Sequence, residues 1–342
     1  PGATVPWGML QLSPDTQDSG WDACSGYHEA DGSIMGFSHT HLSGTGASDM
    51  LDVLVMPAQG PVLLDPGARG LPDELYYSRY DAAAHGSHLA ADVVAHPGKG
   101  YRSRFDKASE HAVPGYYKVR LTDHDIVAEL TATARVGLHR YTFNRQGPAH
   151  LLVDLAHGYH NEARVPCKVS DATLEVIGHD TLVGSRRVHQ WANGRYLFFA
   201  MKLSRPFVRA ELYSEDKPLA PATFAKGDHL KAALHFDDAS KAPLLVRVGI
   251  SAVDIDGALR NLAEELPDWD FERVQLNAAV AWERELSRIR IESHSNDVLK
   301  TFYSGLYHTL LAPTLFSDID GRYRGMDLKV HTLPKGQHNY ST

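Results

Sequence analysis

The feature that most constrains the fold is a change in hydrophobic period near residue 254. From about residue 88 to 252, apolar side chains recur at every second position, as in Ile126–Val136, whose opposite face carries Glu129 and Arg135. A period of two is typical of half-buried antiparallel strands. Beyond Asp254 the period becomes helical. Strands followed by helices predict two domains rather than an alternating α/β chain.

Short strand candidates, separated by turn residues, fill the first part of the chain. Met50–Met56 is the clearest one before residue 70. The others are Tyr116–Leu121, Leu138–Phe143, His150–Leu155, Ala172–Ile177, Tyr196–Leu203, His229–Phe236 and Leu244–Ser251. Many short strands at this spacing favour an antiparallel β-sandwich.

Three helices are predicted after the strands. They are Asp254–Leu266, Phe271–Ile289 and Asn296–Leu311. Ser295 or Asn296 can cap the third helix, and Pro313 ends it. Because three amphipathic helices need partners to cover them, we expect the chain to be a fragment or its remainder to lie elsewhere.

The composition is that of a folded, acidic protein. The 342 residues are 43% hydrophobic, and 34 Lys plus Arg against 42 Asp plus Glu give a net charge of −8. This balance, without a long basic run, argues against nucleic acid as a partner and favours a neutral polar ligand. No apolar run reaches membrane-spanning length. Because Pro1 is not preceded by Met, we expect the natural N-terminus, with any export signal, to be missing.

Two loop segments carry the residues best suited to binding. Trp21–Gly26 reads WDACSG, and Gly36–Asp49 is rich in His, Ser, Thr and Gly. Such loops offer donors and acceptors on closely approaching backbone, and Trp21 offers a flat apolar face. The combination suits a polyhydroxylated ligand. The alternative is a tight β-rich connection whose polar side chains satisfy their own backbone.

Metal and nucleophile signatures are weak. His39 and His41 form an H-x-H pair that would share one face of a strand, as in many zinc sites, but no third ligand lies nearby in sequence. Cys24 and Cys167 can form one disulfide or remain two thiols. The chain contains no G-x-S-x-G motif, phosphate loop or dinucleotide fingerprint.

A third segment, Phe316–Asp327, alternates acids with arginines. Its D-x-D-G string lacks the further oxygen ligands and distal Glu of a calcium-binding EF-hand loop. It is interpreted either as a turn with surface ion pairs or as a loop of acids and arginines that faces a sugar pocket.

The string GFSHTHLSGTGASDMLDVLVMP, from Gly36 to Pro57, resembles the hallmark block of glycoside hydrolase family 92. Its flanks PGATVPWGMLQLSPDT and GWDACSGYHEADGSI agree, as do Ala128–Phe143 and Phe302–Asp327. The matches run in the expected order over nearly the whole chain.

The resemblance implies a calcium-dependent exo-acting α-mannosidase that releases terminal mannose with inversion, of α-1,2 type. It implies a supersandwich-like N-terminal β-sandwich in 1–252, a helical linker in 253–292, and the first part of an (α/α)₆ catalytic barrel in 293–342. The family's general acid Glu, base Asp and calcium ligands lie later in the barrel. We therefore assign no catalytic residue and no metal ligand to this chain, although calcium is expected in the full enzyme.

The resemblance also implies that this chain supplies the sandwich side of a mannose subsite. Trp21 is the first candidate for contact with a mannose-containing glycan, and the second candidates are Cys24, His39, His41, Ser43, Gly44 and Asp49, with Arg324 and Asp327 on the barrel side. Ala47 and Ala23 depart from the family, where Cys and a second aromatic are common. A periplasmic or secreted location is expected. The alternative function is a non-catalytic carbohydrate-binding module, if the natural chain ends near residue 342.

Overall fold

The computed structural model describes residues 2–18, 25–29, 31–43, 49–67, 100–159, 168–189 and 192–341. Within these ranges, two antiparallel sheets stack face to face and three helices follow them. The prediction of a mainly β chain with a sandwich followed by helices is therefore confirmed.

The smaller sheet has seven strands within the described residues. In spatial order they are β1 (Ser13–Asp15), β3 (Gly36–Ser38), β4 (Leu54–Gln59), β9 (Ala149–Asp154), β16 (Leu230–Phe236), β13 (Arg209–Ser214) and β14 (Lys217–Pro218). Every neighbouring pair is antiparallel. The Gly36–Pro57 block contributes β3 and β4, the second and third strands from one edge of this sheet.

The larger sheet has ten strands within the same ranges. In spatial order they are β15 (Phe224–Gly227), β10 (Lys168–Ile177), β11 (Thr181–His189), β12 (Asn193–Leu203), β17 (Leu244–Ser251), β8 (Val136–Phe143), β7 (Ile126–Ala132), β6 (Tyr116–Leu121), β5 (Ser103–Val113) and β2 (Ser33–Ile34). Two strand pairs complete the described sheets: β18 (Thr314–Leu315) with β21 (Tyr340–Ser341), and β19 (Arg322–Arg324) with β20 (Val330–Thr332).

The larger sheet is covered on both faces. Its inner face meets the smaller sheet across a core that contains the fully buried Phe37 and Phe199. Its outer face carries Val136 and Leu138, which pack against the first helix, α1 (Ile255–Glu265), and the start of the second, α2 (Phe271–Leu286). A side chain at Gly249 of β17 would come within 2.6 Å of the Ala258 carbonyl oxygen of α1. Glycine at this position therefore lets the helix lie directly on the strand.

Side-chain caps begin all three helices. Asp254 accepts from the Gly257 backbone N–H at the start of α1, and Asp270 caps α2 in the same way. Ser295 caps the third helix, α3 (Asn296–Thr309), as the sequence predicts. Such caps satisfy backbone donors that have no partner within the helix.

Helices α2 and α3 differ in how well they are covered. Val274, Ala278 and Trp282 of α2 are buried, whereas Ile289 lies beyond its end and is 50% exposed. The predicted α3 stripe is only half-buried at Leu299, Phe302, Tyr303 and Leu306. Burial is reached only at Tyr307, within the helix, and at Leu310 just after it.

The first dozen residues join the sandwich to the helices. The Trp282 indole Nε1 donates to the Thr4 carbonyl oxygen at 2.7 Å. The Trp7 backbone N–H donates to the Leu310 carbonyl, and the Leu315 N–H donates to the Trp7 carbonyl, both at 2.8 Å. This N-terminal segment therefore lies between α3 and the sandwich.

Candidate functional site

The described residues of the Gly36–Pro57 block include β3 and the first part of β4. The arms of the loop pair near its base, where the His39 N–H donates to the Asp52 carbonyl oxygen and the Leu51 N–H donates to that of Thr40. The loop thus starts from a hydrogen-bonded base at the sheet edge.

Asp52 stabilises the base of this loop through buried contacts. Its carboxylate has no solvent exposure and pairs with Arg186 at 2.7 Å and Arg195 at 2.6 Å. Thr40 Oγ1 donates to it at 2.5 Å. Burial alone would raise the pKa of Asp52, but Arg195 and Arg186 bring it below its usual range. Asp52 is therefore a structural ion whose partners come from β11 and β12.

Asp49, a predicted site residue, belongs to the same structural network. Its side chain accepts from the Ala192 backbone N–H at 2.5 Å, and Arg195 donates to its carbonyl oxygen. Its side chain is thus engaged with the protein in this structure.

His39 lies inside the sandwich rather than on the loop surface. Its Nδ1 donates to the Val53 carbonyl oxygen at 2.8 Å, and its Nε2 lies 3.0 Å from Nε2 of His139, whose Nδ1 contacts the Tyr141 hydroxyl. Burial lowers the pKa of His39 to about 4, so the ring is neutral near pH 7. With no exposure, His39 supports the loop from within, and it does not share a strand face with His41, because β3 ends at Ser38.

His41 reaches a cleft at the surface and is held from behind by Asp15. Its Nε2 lies 2.7 Å from Asp15 Oδ1, and its Nδ1 lies 2.6 Å from the Gln11 carbonyl oxygen. Asp15 Oδ2 receives Nε2 of His157 at 2.9 Å. Burial would raise the pKa of Asp15, but the charge of His41 and the hydrogen bonds from His157 and His41 bring it to about 2. A fully buried carboxylate therefore sits between two imidazoles.

The cleft lies between the sandwich and α3 and encloses about 160 Å³. The sandwich side presents Gln11, Ser13, Ser25, Tyr27, His41 and Ser43. The helical side presents Tyr307, His308 and Leu311. This volume is below the roughly 300–1,000 Å³ of pockets for drug-sized ligands and suits a ligand of one ring. Hydroxyl, amide and imidazole groups beside aromatic rings suit a sugar.

Tyr27 lies on the sandwich side of the cleft, and polar contacts fix its orientation. Its hydroxyl donates to Glu110 Oε2 at 2.9 Å and accepts from the Lys107 ammonium group, which also lies 5.0 Å from the ring centroid. Burial raises the pKa of Tyr27 to about 12 with the help of Glu110, against the effect of Lys107. The phenol is thus neutral near pH 7, and its orientation is fixed by β5.

Of the predicted site residues, the structure brings together His41 and Ser43 in the cleft. Trp21, Cys24 and Gly44 lie outside the described residues, as does Cys167. Arg324 lies elsewhere, over the Tyr196 ring at 4.7 Å, and donates to the Ala252 and Val253 carbonyls. Asp327 is exposed and pairs with His331. Neither of these two residues lines the cleft.

Sequence reasoning missed Gln11, Tyr27, Tyr307 and His308. Tyr27 follows WDACSG by one residue, so its proximity to a candidate sugar loop was a usable signal. Tyr307 and His308 carried no such signal, because their place in the cleft depends on how α3 packs against the N-terminal segment.

The described residues do not supply a metal centre. Among them, no three His, Cys, Asp or Glu side chains are placed to hold an ion. The paired Asp15 and Asp52 are already bound to histidines and arginines. Side chains of these four types therefore form no ligand set for the implied calcium in the described ranges.

Two family models together match almost the whole chain. The Glycosyl hydrolase family 92 N-terminal domain matches residues 1–98 and 85–251, and the Glycosyl hydrolase family 92 catalytic domain matches residues 257–342. The chain therefore belongs to glycosyl hydrolase family 92.

Solved and curated relatives agree with this assignment. The chain is similar to the family GH92 α-mannosidase BT3965 from Bacteroides thetaiotaomicron, with 32% identity and a TM-score of 0.84, over 99% of this chain and 42% of that one. A structure of the same mannosidase in complex with mannoimidazole gives a TM-score of 0.83 over 99% of this chain and 41% of that one. An uncharacterized secreted glycosidase from Arthroderma benhamiae is 26% identical over 92% of this chain and 39% of its own length. The chain thus spans roughly two-fifths of the length of these relatives.

No helix within the described ranges has the length and apolar character needed to cross a membrane.

Proposed function

We propose that this chain is part of an exo-acting α-mannosidase of α-1,2 type and supplies the sandwich side of its mannose subsite. The observation that carries the proposal is the cleft between the sandwich and α3, where His41, Ser43 and Tyr27 face a helix that belongs to the catalytic-domain match. A solved relative bound to mannoimidazole supports mannose as the sugar.

In this proposal the cleft binds and orients a terminal mannose but does not cleave it. An inverting glycosidase needs an acid and a base carboxyl group about 6.5–9.5 Å apart, with space for water. Asp15, which contacts the cleft residue His41, is buried and held by two histidines. We assign the acid, the base and the calcium ligands to parts of the enzyme beyond these residues.

The remaining assignments belong to the same proposal. Residues 1–252 form the sandwich domain, 253–292 a helical linker, and 293–342 the beginning of an (α/α)₆ barrel. Trp21, Cys24 and Gly44 are proposed to complete the sugar-binding wall. Export to the periplasm or outside the cell fits a relative named as a secreted glycosidase. The match of 257–342 to a catalytic domain favours a hydrolase over a separate carbohydrate-binding module.

A titration of the 342-residue chain with mannose, followed by amide NMR shifts, tests the subsite. For a single sugar ring we expect a Kd on the order of 1 mM or weaker. The shifts should cluster at Ser25, Tyr27 and Ser43, and Tyr27→Ala should weaken binding about tenfold through loss of the aromatic contact. Tyr323→Ala, in the β19–β20 hairpin, is the matched control and should leave the affinity unchanged.

Equal binding of glucose, or shifts confined to the hairpin, would contradict a mannose subsite in the cleft. An α-mannosidase assay on the same chain should show no turnover. Full turnover would overturn the assignment of the catalytic residues to parts of the enzyme beyond this chain.

A further inference from the structure

Gly26 is the point at which the sandwich wall of the cleft touches the interior. Its φ of +77° lies in the region that favours glycine, and a side chain there would come within 2.2 Å of Asp15 Oδ1 and 2.9 Å of His41 Cδ2. Its chain neighbours Ser25 and Tyr27 both line the cleft. The position of Ser25 and Tyr27 is therefore set by the residues against which Gly26 packs, Asp15 and His41.

Backbone hydrogen bonds fasten the wall to the same support. The Gly26 carbonyl oxygen accepts from the Thr16 N–H at 2.6 Å and the Gln17 N–H at 3.2 Å. The His28 N–H donates to Thr16 Oγ1 at 2.9 Å. Residues 15–17 and 26–28 are consequently joined by three hydrogen bonds.

The support itself is the Asp15 triad, which we define as Asp15, His41 and His157. All three are buried, with exposures of 0%, 6% and 6%. Each ring nitrogen of His41 faces an oxygen acceptor: the Gln11 carbonyl at Nδ1 and Asp15 at Nε2. The Gln11 carbonyl and the buried carboxylate therefore fix the orientation of the His41 ring from its two opposite nitrogens. The Ser38 hydroxyl lies 3.0 Å from the same Nε2.

A packed apolar cluster could fill this space without the cost of desolvating a carboxylate. The triad instead fixes the orientation of both histidine rings, because charge-assisted hydrogen bonds are short and directional. We propose that Asp15 is a positioning residue for the sugar-binding cleft, acting through His41 and Gly26 to set the place of Ser25 and Tyr27. This inference rests on the proposed mannose subsite and deepens it.

The experiment compares Asp15→Asn with Asp318→Asn in the 342-residue chain. Asp318 is equally buried, at 1% exposure, and is bonded to Ser251 and Asn261 away from the cleft, so it controls for the loss of a buried carboxylate. Three readouts are taken near pH 7: the ¹H–¹⁵N signals of the histidine rings, the amide shifts of Ser25 and Tyr27 without ligand, and the Kd for mannose.

For Asp15→Asn we expect displaced ring signals of His41, displaced amide signals of Ser25 and Tyr27, and mannose binding weakened about tenfold or more. Asp318→Asn should preserve the first two readouts and leave the Kd within about twofold. If Asp15→Asn keeps the His41 ring signals and the amide shifts of the wild type, or leaves the Kd unchanged while wild type binds mannose, the positioning role is wrong.

A wild-type chain that never binds mannose overturns the proposed subsite alone, because the ring and amide readouts still test the positioning role without ligand. If Asp15→Asn does not fold, Gly26→Ala takes its place, since it keeps the three side chains of the triad but inserts a methyl group against Asp15 and His41. A folded Gly26→Ala chain should shift the Ser25 and Tyr27 amides and weaken mannose binding. Unchanged amides would overturn the inference.

Discussion

The two walls of the cleft differ in how they are held. The sandwich wall rests on buried ions and on a core that includes the fully buried Phe199. The opposite wall is the C-terminal end of α3, whose apolar stripe is half-buried and whose main attachments are Trp282 and the N-terminal segment. One wall is therefore part of the globular core, whereas the other depends on a small local cluster.

The largest expected effect comes from removing a buried aromatic side chain behind each wall of the cleft. Phe199→Ala should lower the free energy of global unfolding by about 3–5 kcal/mol, because it leaves a large cavity in the core. Trp282→Ala removes a comparable side chain, its hydrogen bond to Thr4 and its 4.5 Å ring contact with Tyr307. We expect Trp282→Ala to act locally, by raising hydrogen exchange in α3 and at Trp7 while the sandwich stays protected.

Denaturant unfolding and amide hydrogen exchange on both variants check this contrast. The matched control is Trp282→Phe, which keeps much of the packing but loses the donor to Thr4. Uniform loss of protection throughout the sandwich in Trp282→Ala would mean that α3 is an integral part of the core.

A smaller effect is expected at acidic pH, where groups buried in the sandwich should lose their contribution to stability. The folded pKa of Asp15, about 2, lies below its usual 3.8, so its contribution of about 2 kcal/mol is complete above pH 4 and is lost as the pH falls towards 2. The folded pKa of His39, about 4, also lies below its usual 6.5. Its contribution to the free energy of unfolding is therefore complete above pH 6.5 and is lost as the pH falls towards 4. Burial raises the pKa of Asp318 beside α1, so acid does not remove stability there.

Unfolding free energies measured from pH 7 to pH 3 should therefore fall, and Asp15→Asn should flatten the part of the curve below pH 4. A wild-type curve that rises in acid would contradict the buried charges assigned to the sandwich.

The smallest effect is expected at the start of α3. Ser295→Ala removes the side chain that caps the Val298 N–H and should cost about 1 kcal/mol of local helix stability. Ser304→Ala, at an exposed position inside the same helix, is the control and should be neutral or slightly stabilising, since alanine favours helices. Hydrogen exchange in the first turn of α3 measures both, and equal effects would show that the cap does not limit opening.

Local patterns predicted much of the fold. The bounds of β6 and β17 match the predicted strands, and all three helices begin within one residue of their predicted starts. Ile126–Val136 was predicted as one strand, but it ends at Ala132, because Thr133 and Arg135 turn towards Glu265. That contact spans 130 or more residues and leaves no trace in a period of two.

Strand β11 was not predicted, and a long-range contact again explains why. β11 places Arg186 at a buried position, where it breaks the expected alternation because its partner Asp52 lies far away in sequence. At the site, loop composition pointed to His41 and Ser43 but could not separate them from the inward-facing His39. The inward position of His39 depends on its contact with His139, which lies 100 residues further along the chain.

The N-terminal segment has a consequence for the order in which the protein is made. Gln11 donates to the Leu311 carbonyl, 300 residues further along the chain. At a synthesis rate of about 5–20 residues per second, roughly 15–60 s separate the emergence of these two partners from the ribosome. Gln11 and its neighbours must therefore wait for the residues near Leu311 before the cleft can close, and a nascent chain contains the strands of the sandwich before it contains both sides of the cleft.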